Sequence, residues 1–174
     1  MTNDRHWYVA YVMACREKKA AERLSALGYR CYLPVRKVVR QWSDRKKVMD
    51  QLVLPRMIFV YCNENERLRS LEDVDALYRY ITVCGAHTPA VIRDSEMETF
   101  MRMVEQGGRD VSLSDKPVDK GDLVEVVSGP LQGSRCEVVS VNGRRCYVIR
   151  LGSAVSFLIE VSMDELKRIE KDEN

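Results

Sequence analysis

The chain has 174 residues, 45% of them hydrophobic and 31% charged, with a formal net charge of +2. That balance belongs to a globular protein rather than a disordered one, and the longest clean apolar runs, such as Met57 to Val60, are far too short for a membrane-spanning helix. The polar start, Met1-Thr-Asn-Asp-Arg-His6, has no apolar stretch behind it, so no secretory leader is expected there, and the expected compartment is the cytoplasm.

In chain order, Trp7 to Val12 is aromatic and β-branched and reads as a first strand. Arg16 to Leu27 changes period: Ala20, Leu24 and Leu27 fall on one helical face, and Gly28 stands where a C-capping glycine is expected. Arg30 to Leu33 returns to strand and stops at Pro34. Val35 to Trp42 and Lys47 to Leu54 read as the arms of a hairpin around Ser43-Asp44-Arg45. Met57 to Cys62 is the most strand-like segment. Glu64 to Asp73 reads as a short helix, Tyr78 to Val83 as a strand and Ala90-Val-Ile92 as a brief pairing segment. Glu96 to Glu105 forms a helix capped by Asp94 or Ser95, whose Met97, Phe100, Met101 and Val104 repeat at helical spacing and belong to a core.

Gln106 to Asp110 ends that helix, and the stretch to Asp119 lacks periodicity, so residues 110–119 read as a linker. Beyond Lys120 only strand signals follow: Leu123 to Val127, Cys136 to Val141, Cys146 to Leu151 and Val155 to Val161, with a hairpin turn at Asn142-Gly143. Met163 to Ile169 adds a helical turn or a last short strand. The expectation is an α+β domain over 1–109, the linker, and a small closed β-barrel over 120–174. The β-branched valines of the last part, together with Gly129-Pro130, argue against any helical state of it.

Charge is uneven along the chain. Between Arg16 and Arg56 twelve Lys/Arg stand against four Asp/Glu, whereas from Met57 to Arg109 six stand against nine and from Lys120 to Asn174 eight against nine. A polyanion is therefore to be met by the first third of the chain, the plainer alternative being a solvated charged surface. Catalytic patterns are missing. His6 and His87 have no metal spacing, there is no Gly-x-Ser-x-Gly, Walker A or Gly-x-Gly-x-x-Gly, and Asp73/Asp75 and Glu96/Glu98 read as solvated helix ends rather than acid–base pairs. Six scattered cysteines with no Cys-x-x-Cys read as buried free thiols, so a thiol-redox enzyme is the remaining catalytic alternative. No cofactor and no metal are expected.

The segment Lys120-Gly-Asp-Leu-Val-Glu-Val-Val-Ser-Gly-Pro-Leu-Gln-Gly133 resembles the KOW motif, with Gly129, Pro130 and Gly133 at the turn; the glycine often found three residues later is Cys136 here. Trp7-Tyr8-x-x-Tyr11, the helix opening on Arg16-Glu-Lys18, Tyr32-x-Pro34 and Leu54-Pro55-x-Met57-x-Phe59-Val60 resemble the NusG N-terminal domain in order and spacing. Leu77-Tyr-Arg-Tyr-Ile81 and Pro89 to Met101 resemble the specialised UpxY-type paralogues, antiterminators of polysaccharide operons.

The resemblance implies a monomeric, non-enzymatic transcription elongation factor. Its apolar depression accepts the tip of the RNA polymerase clamp helices and would be lined by Tyr11, Leu54, Pro55 and Met57, with Trp7 on the same strand face. On the residues alone, Trp7 and Phe59 are expected in the core and Tyr11 and Met57 at the contact. The family commonly has glycine or asparagine at Arg56 and tyrosine at Met57. The helix residues Arg16, Lys19 and Arg23 and the hairpin residues Arg36, Lys37, Arg40, Arg45, Lys46 and Lys47 would face DNA in the elongation complex, and Trp42 would stack on an unpaired base or on its own hairpin. The family's threonine-rich gate contact finds no match in Leu68-Arg-Ser-Leu71. The KOW domain would recruit a ribosomal protein or the termination factor Rho. With no helical state to mask it, the polymerase site is expected to be open. A housekeeping elongation and termination factor and a ribosome-associated KOW protein stand as alternatives.

If the hairpin attracts DNA, charge reversal at Arg45, Lys46 and Lys47 weakens recruitment and flattens its salt dependence, by about one unit of log–log slope per lost phosphate contact. Binding isotherms across a salt series measure this; an unchanged slope returns the run to a solvated surface.

Overall fold

A strand that is apolar on both faces has to lie inside a sheet covered on both sides, and the first strand is of that kind. The computed structural model describes residues 4–42, 45–83, 87–107, 111–114, 121–128, 132, 135–141, 144–151, 155–160 and 166–168. β1 (His6–Val12) leads into α1 (Glu17–Ala26), β2 (Arg30–Tyr32), β3 (Val35–Gln41), β4 (Lys46–Leu52), β5 (Met57–Cys62), α2 (Glu64–Asp73), β6 (Leu77–Tyr80), β7 (Val91–Ile92) and α3 (Asp94–Gly107). β8 (Val111–Ser114), β9 (Asp122–Val126), β10 (Arg135–Val141), β11 (Arg144–Leu151), β12 (Val155–Glu160) and β13 (Leu166–Arg168) follow.

The first sheet runs β2-β5-β1-β6, with β7 also pairing β1. β1 and β5 are antiparallel, with Trp7 opposite Tyr61, Val9 opposite Phe59 and Tyr11 opposite Met57. Alternation sends Tyr8, Ala10, Val12, Ile58, Val60 and Cys62 to one face, where Ala20 and Leu24 of α1 cover them. Trp7, Val9, Met57 and Phe59 go to the other face, under Met97, Phe100, Met103 and Val104 of α3. Phe59 and Phe100 meet at 5.0 Å between ring centroids, so truncating either to alanine costs about 3–5 kcal/mol.

Local chemistry sets the helix ends. Gly28 takes φ +84, and the amides of Gly28 and Tyr29 donate to the carbonyls of Ser25 and Leu24 at 3.0 Å each, a Schellman closure of α1. At the start of α2, Asn63 and Glu66 each accept the other's amide at 2.9 Å, a capping box. α2 is then pinned to β6 by the buried 2.7 Å hydrogen bond between Ser70 Oγ and the Tyr80 hydroxyl, with the Arg67 guanidinium 5.3 Å over the Tyr80 ring. The burial that closes this layer also pushes the Cys62 thiol up to about 12, with Glu66 adding to the effect. Cys62 and Cys146 are buried as the sequence suggests, but Cys15 is exposed, in a left-handed turn at φ 61.

The second sheet has the order β13-β9-β10-β11-β12-β8, and β3 and β4 form a separate two-stranded ribbon. From residue 111 onward the described elements are all strands. Part of the expected linker is strand: β8 pairs with β12, Leu113 lying opposite Phe157. Val-Ser-Leu-Ser alternates for only four residues, too short for its period to stand out. The last segment resolves as strand β13, pairing β9.

Val124, Val126 and Val138 of this sheet belong to the same buried cluster as Trp7, Leu54, Met57 and Phe100. Leu54 and Met57, expected at an open polymerase face, lie in this cluster at 4% and 7% exposure.

The glycine of Lys120-Gly-Asp has a steric reason. A Cβ on Gly121 would stand 2.3 Å from the Val138 carbonyl oxygen, and its amide donates to Glu137 Oε1 at 2.6 Å. Gly121→Ala is expected to destabilise the chain by about 1–3 kcal/mol through overpacking, measured as a shift of the urea midpoint.

Candidate functional site

The residues singled out from the sequence fall into three places. The first is the end of β1. Tyr11 is half-buried and stacks on Tyr78 of β6, ring centroids 5.7 Å apart at 24°. The Arg79 guanidinium lies 4.8 Å over the Tyr11 ring and 5.9 Å over that of Tyr78. A register shift between Tyr11 and Val12 in the β1–β6 pairing opens this end of the strand. Tyr78 is 44% exposed, so the stack presents aromatic surface to solvent. In the sequence Tyr78 and Arg79 belong to the segment Leu77 to Ile81, with no signal that they meet Tyr11.

Pro55 is exposed, but Leu54 and Met57 are only 4% and 7% exposed. Met57, expected at a contact surface, is thus core in this conformation. Trp7 is buried as expected, with the Arg30 guanidinium 5.2 Å over its ring.

The turn between these residues is held in a costly shape. Arg56 has φ 64, a region that disfavours residues with a Cβ. Its carbonyl accepts the Val12 amide at 2.8 Å, and its own amide donates to Oε1 of the buried Glu17 at 3.0 Å. Glu17, from the first turn of α1, thus fixes the loop that carries Pro55 and Met57. The strain also explains why glycine or asparagine suits this position.

The second place is the β3–β4 ribbon. Arg40 stands directly opposite Lys47 and Lys37 opposite Asp50. Lys37, Arg40, Arg45, Lys46 and Lys47 are exposed and Arg36 is half-buried. Lys18 Nζ donates to Asp50 at 3.1 Å, tying the ribbon to α1. Trp42, Val39 and Val48 are 54%, 65% and 61% exposed, so each keeps more than half of its surface open to solvent.

The third is the outer face of α1, where Arg16, Lys19 and Arg23 are exposed beside a cleft bounded by Asp73 and Asp75. The turn residues Gly129, Pro130 and Gly133, and the Asn142-Gly143 turn, lie outside the described residues. Among the described residues no three His, Cys, Asp or Glu side chains converge on a metal-sized site, and no helix is long and apolar enough to cross a membrane.

A family model described as transcription termination factor nusG matches residues 5–101, more than half of the chain, and one for the KOW motif matches residues 120–155. The chain belongs to the NusG family. Its fold is the α+β arrangement of the NusG N-terminal domain followed by a KOW region. Members of this family are non-enzymatic transcription factors that bind RNA polymerase, with a role in elongation.

Among solved structures, the chain is similar to Thermotoga maritima NusG in a study of its domain interaction, at 18% identity over 96% of this chain and 98% of that one, with a TM-score of 0.48. It is also similar to a chain of the MjSpt4:Spt5 complex in conformation A, at 15% identity over 95% and 99%, with a TM-score of 0.30. Conformation B of that complex matches at 16% over 97% and 99%, TM-score 0.31. The NusG model covers the two faces of the first sheet and all three candidate places, whereas the KOW model begins at the Gly121 pairing with β10.

Two substitutions separate the roles in the strained turn of this NusG-family chain. Glu17→Ala orphans the Arg56 amide and is expected to cost about 1–3 kcal/mol. Arg56→Gly relieves the left-handed residue and is expected to be neutral or stabilising by up to about 1 kcal/mol. Chemical denaturation of both variants measures the difference.

Proposed function

We propose that this chain is a specialised elongation factor that binds RNA polymerase at the clamp helices and promotes processive antitermination of polysaccharide (capsule) operons. The observation that carries the polymerase contact is the exposed aromatic end of β1, where Tyr11, Tyr78 and Arg79 stack at the surface. Partly exposed rings with a guanidinium over them suit the tip of a helical hairpin, because they bury apolar area while keeping polar rims wet. Leu54, Met57 and Trp7 extend this face inward. On this reading Leu54 and Met57 are reached only when the buried cluster they belong to opens. The likeness of residues 77–81 and 89–101 to UpxY-type paralogues supports the antitermination role.

Arg16, Lys19 and Arg23 on α1 and Arg36, Lys37, Arg40, Arg45, Lys46 and Lys47 on the ribbon face DNA in this arrangement. The cross-strand pair of Arg40 and Lys47 supports it, since directly opposed like charges destabilise a ribbon until an anion lies between them. The factor bridges the cleft, holds the clamp closed and disfavours the paused state by binding it less well. It acts as a cytoplasmic monomer without a cofactor. Its N-terminal domain spans 1–109 and its KOW domain 120–174, whose sheet also recruits β8 from the intervening segment, and the KOW domain engages a ribosomal protein or Rho.

Tyr11→Ala with Tyr78→Ala is expected to weaken binding to isolated clamp helices by about 1–3 kcal/mol, read by calorimetry, with the amide spectrum as a check of folding. Undiminished affinity in a folded double variant sinks the assignment.

A further inference from the structure

A cleft of about 280 Å³ opens between α1 and the segment that joins α2 to β6, and its two walls carry opposite charge. Arg16, Lys19 and Arg23 line one side, at a spacing that puts them on one helical face, and Asp73 and Asp75 line the other. Ala20, Val74 and Ala76 make a floor of small apolar side chains, at 0%, 2% and 6% exposure. The charged groups are not spent on one another: among the described residues none of the five is in an ion pair. Backbone holds both walls in place. The Ala20 amide donates to the Arg16 carbonyl at 2.8 Å, Val74 to Ser70 at 3.2 Å, Leu77 to Val74 at 2.8 Å, and Met13 at the end of β1 to Ala76 at 2.9 Å.

Charge decides what suits such a cleft. Three cations against two carboxylates leave one positive charge over. A simple anion drawn to α1 meets the carboxylates across the gap, and a simple cation drawn to the aspartates meets the basic wall. An amino acid, with one charge of each sign, leaves the surplus unanswered. A phosphate monoester that also carries a protonated amine has about two negative charges at one end near neutral pH and one positive charge at the other. It answers both walls and the surplus, whereas a phosphodiester such as a lipid headgroup lacks the second negative charge. The volume lies at the lower limit of the ~300–1,000 Å³ usual for small-molecule sites, so the occupant is compact, with one sugar ring or less between its two ends.

We propose that the cleft binds a small phosphorylated amine of the size and charge of an amino-sugar phosphate, with the phosphate on Arg16, Lys19 and Arg23 and the ammonium on Asp73 and Asp75. A phosphate presents acceptor oxygens to the paired N–H donors of a guanidinium, which suits the arginine-rich wall. An ammonium has three donors and no acceptor, and a carboxylate only accepts, which suits the other wall. The apolar floor takes the carbon face of the bridge between them. Neither end suffices alone, because exposed charge pairs are worth little singly. Affinity comes from joining two such contacts in one ligand, so that the second forms without a second loss of freedom. The inference stands on the cleft alone. Where α1 also meets DNA, the ligand occupies the same three cations and weakens that contact, and so acts as a negative effector.

The test uses the full chain labelled with nitrogen-15. It is titrated with glucosamine 6-phosphate, with glucose 6-phosphate, which lacks the amine, and with glucosamine, which lacks the phosphate. Glucosamine 6-phosphate is expected to bind with a Kd on the order of 1 mM or below and to move the amides of Ala20, Val74 and Ala76. Glucose 6-phosphate is expected to bind about fivefold more weakly, and glucosamine more weakly still. Asp73→Asn with Asp75→Asn brings the two phosphates to equal affinity, whereas Lys19→Ala with Arg23→Ala removes binding of both, the amide spectrum of each variant showing that it folds. Equal affinity of the unaltered chain for the two phosphates overturns the two-walled site, as does a preference that survives loss of both aspartates. Failure of glucosamine 6-phosphate to bind overturns the proposal outright. Shifts confined to the β3–β4 ribbon put the ligand elsewhere and overturn the cleft.

Discussion

β1 is buried on both faces, and that constraint organises everything else. Tyr8, Ala10 and Val12 need α1 and α2, while Trp7 and Val9 need α3, so neither layer can be removed without exposing the strand. The interior of the sheet is thereby closed to function. Chemistry that touches a partner has to sit at strand ends and in the turns between layers, and two of the three candidate places, the end of β1 and the cleft beside α1, are of that kind. Tyr11 lies at the register shift that ends the regular β1–β6 pairing. Arg56 lies in the turn before β5, held by a helix residue from the opposite layer. Asp73 and Asp75 lie where α2 gives way to β6.

The β3–β4 ribbon obeys a different balance. Two strands alone bury too little to be stable in water, and this pair adds opposed like charges at Arg40 and Lys47. Its anchorage is at the base. Pro34 and Leu54 are buried, and the Val53 amide donates to the Pro34 carbonyl at 2.8 Å. The Lys18–Asp50 ion pair is exposed at both ends and adds little. A protein that keeps such a ribbon basic and exposed, with Trp42 near its tip, accepts a stability cost that packing within the chain does not recover.

Legibility in the sequence followed the strength of local periodicity. β1, α1, β5 and α3 stand out because long apolar patterns repeat at one period, and Gly28 marks the end of α1 by the only backbone shape that suits it. β8 was missed because four residues are too few to declare a period, and its pairing with β12 is decided some forty residues away. The candidate residues divide the same way. Charge runs such as Arg45-Lys-Lys47 are visible as composition, and their exposure follows. The burial of Met57 in one cluster with Trp7, Phe59 and Phe100 is a long-range packing event with no local signal. The stack of Tyr78 and Arg79 on Tyr11 was unread for a related reason, and Asp73 and Asp75 read only as solvated helix ends. Exposed aromatic, basic and acidic residues are ordinary until the fold brings them beside something.

The two proposed contacts differ in what they need before they can form. The charged cleft and the ribbon are open to solvent, and opposite charge acts across a Debye length, about 8 Å at physiological salt. The inner part of the apolar face, at Leu54 and Met57, is buried within the chain's own core, and apolar contact acts only when surfaces touch. On the proposed function, encounter is therefore electrostatic, and the aromatic stack of Tyr11 and Tyr78, already exposed, is the first apolar foothold. Any further gain at Leu54 and Met57 has to exceed the loss of their contacts within that core.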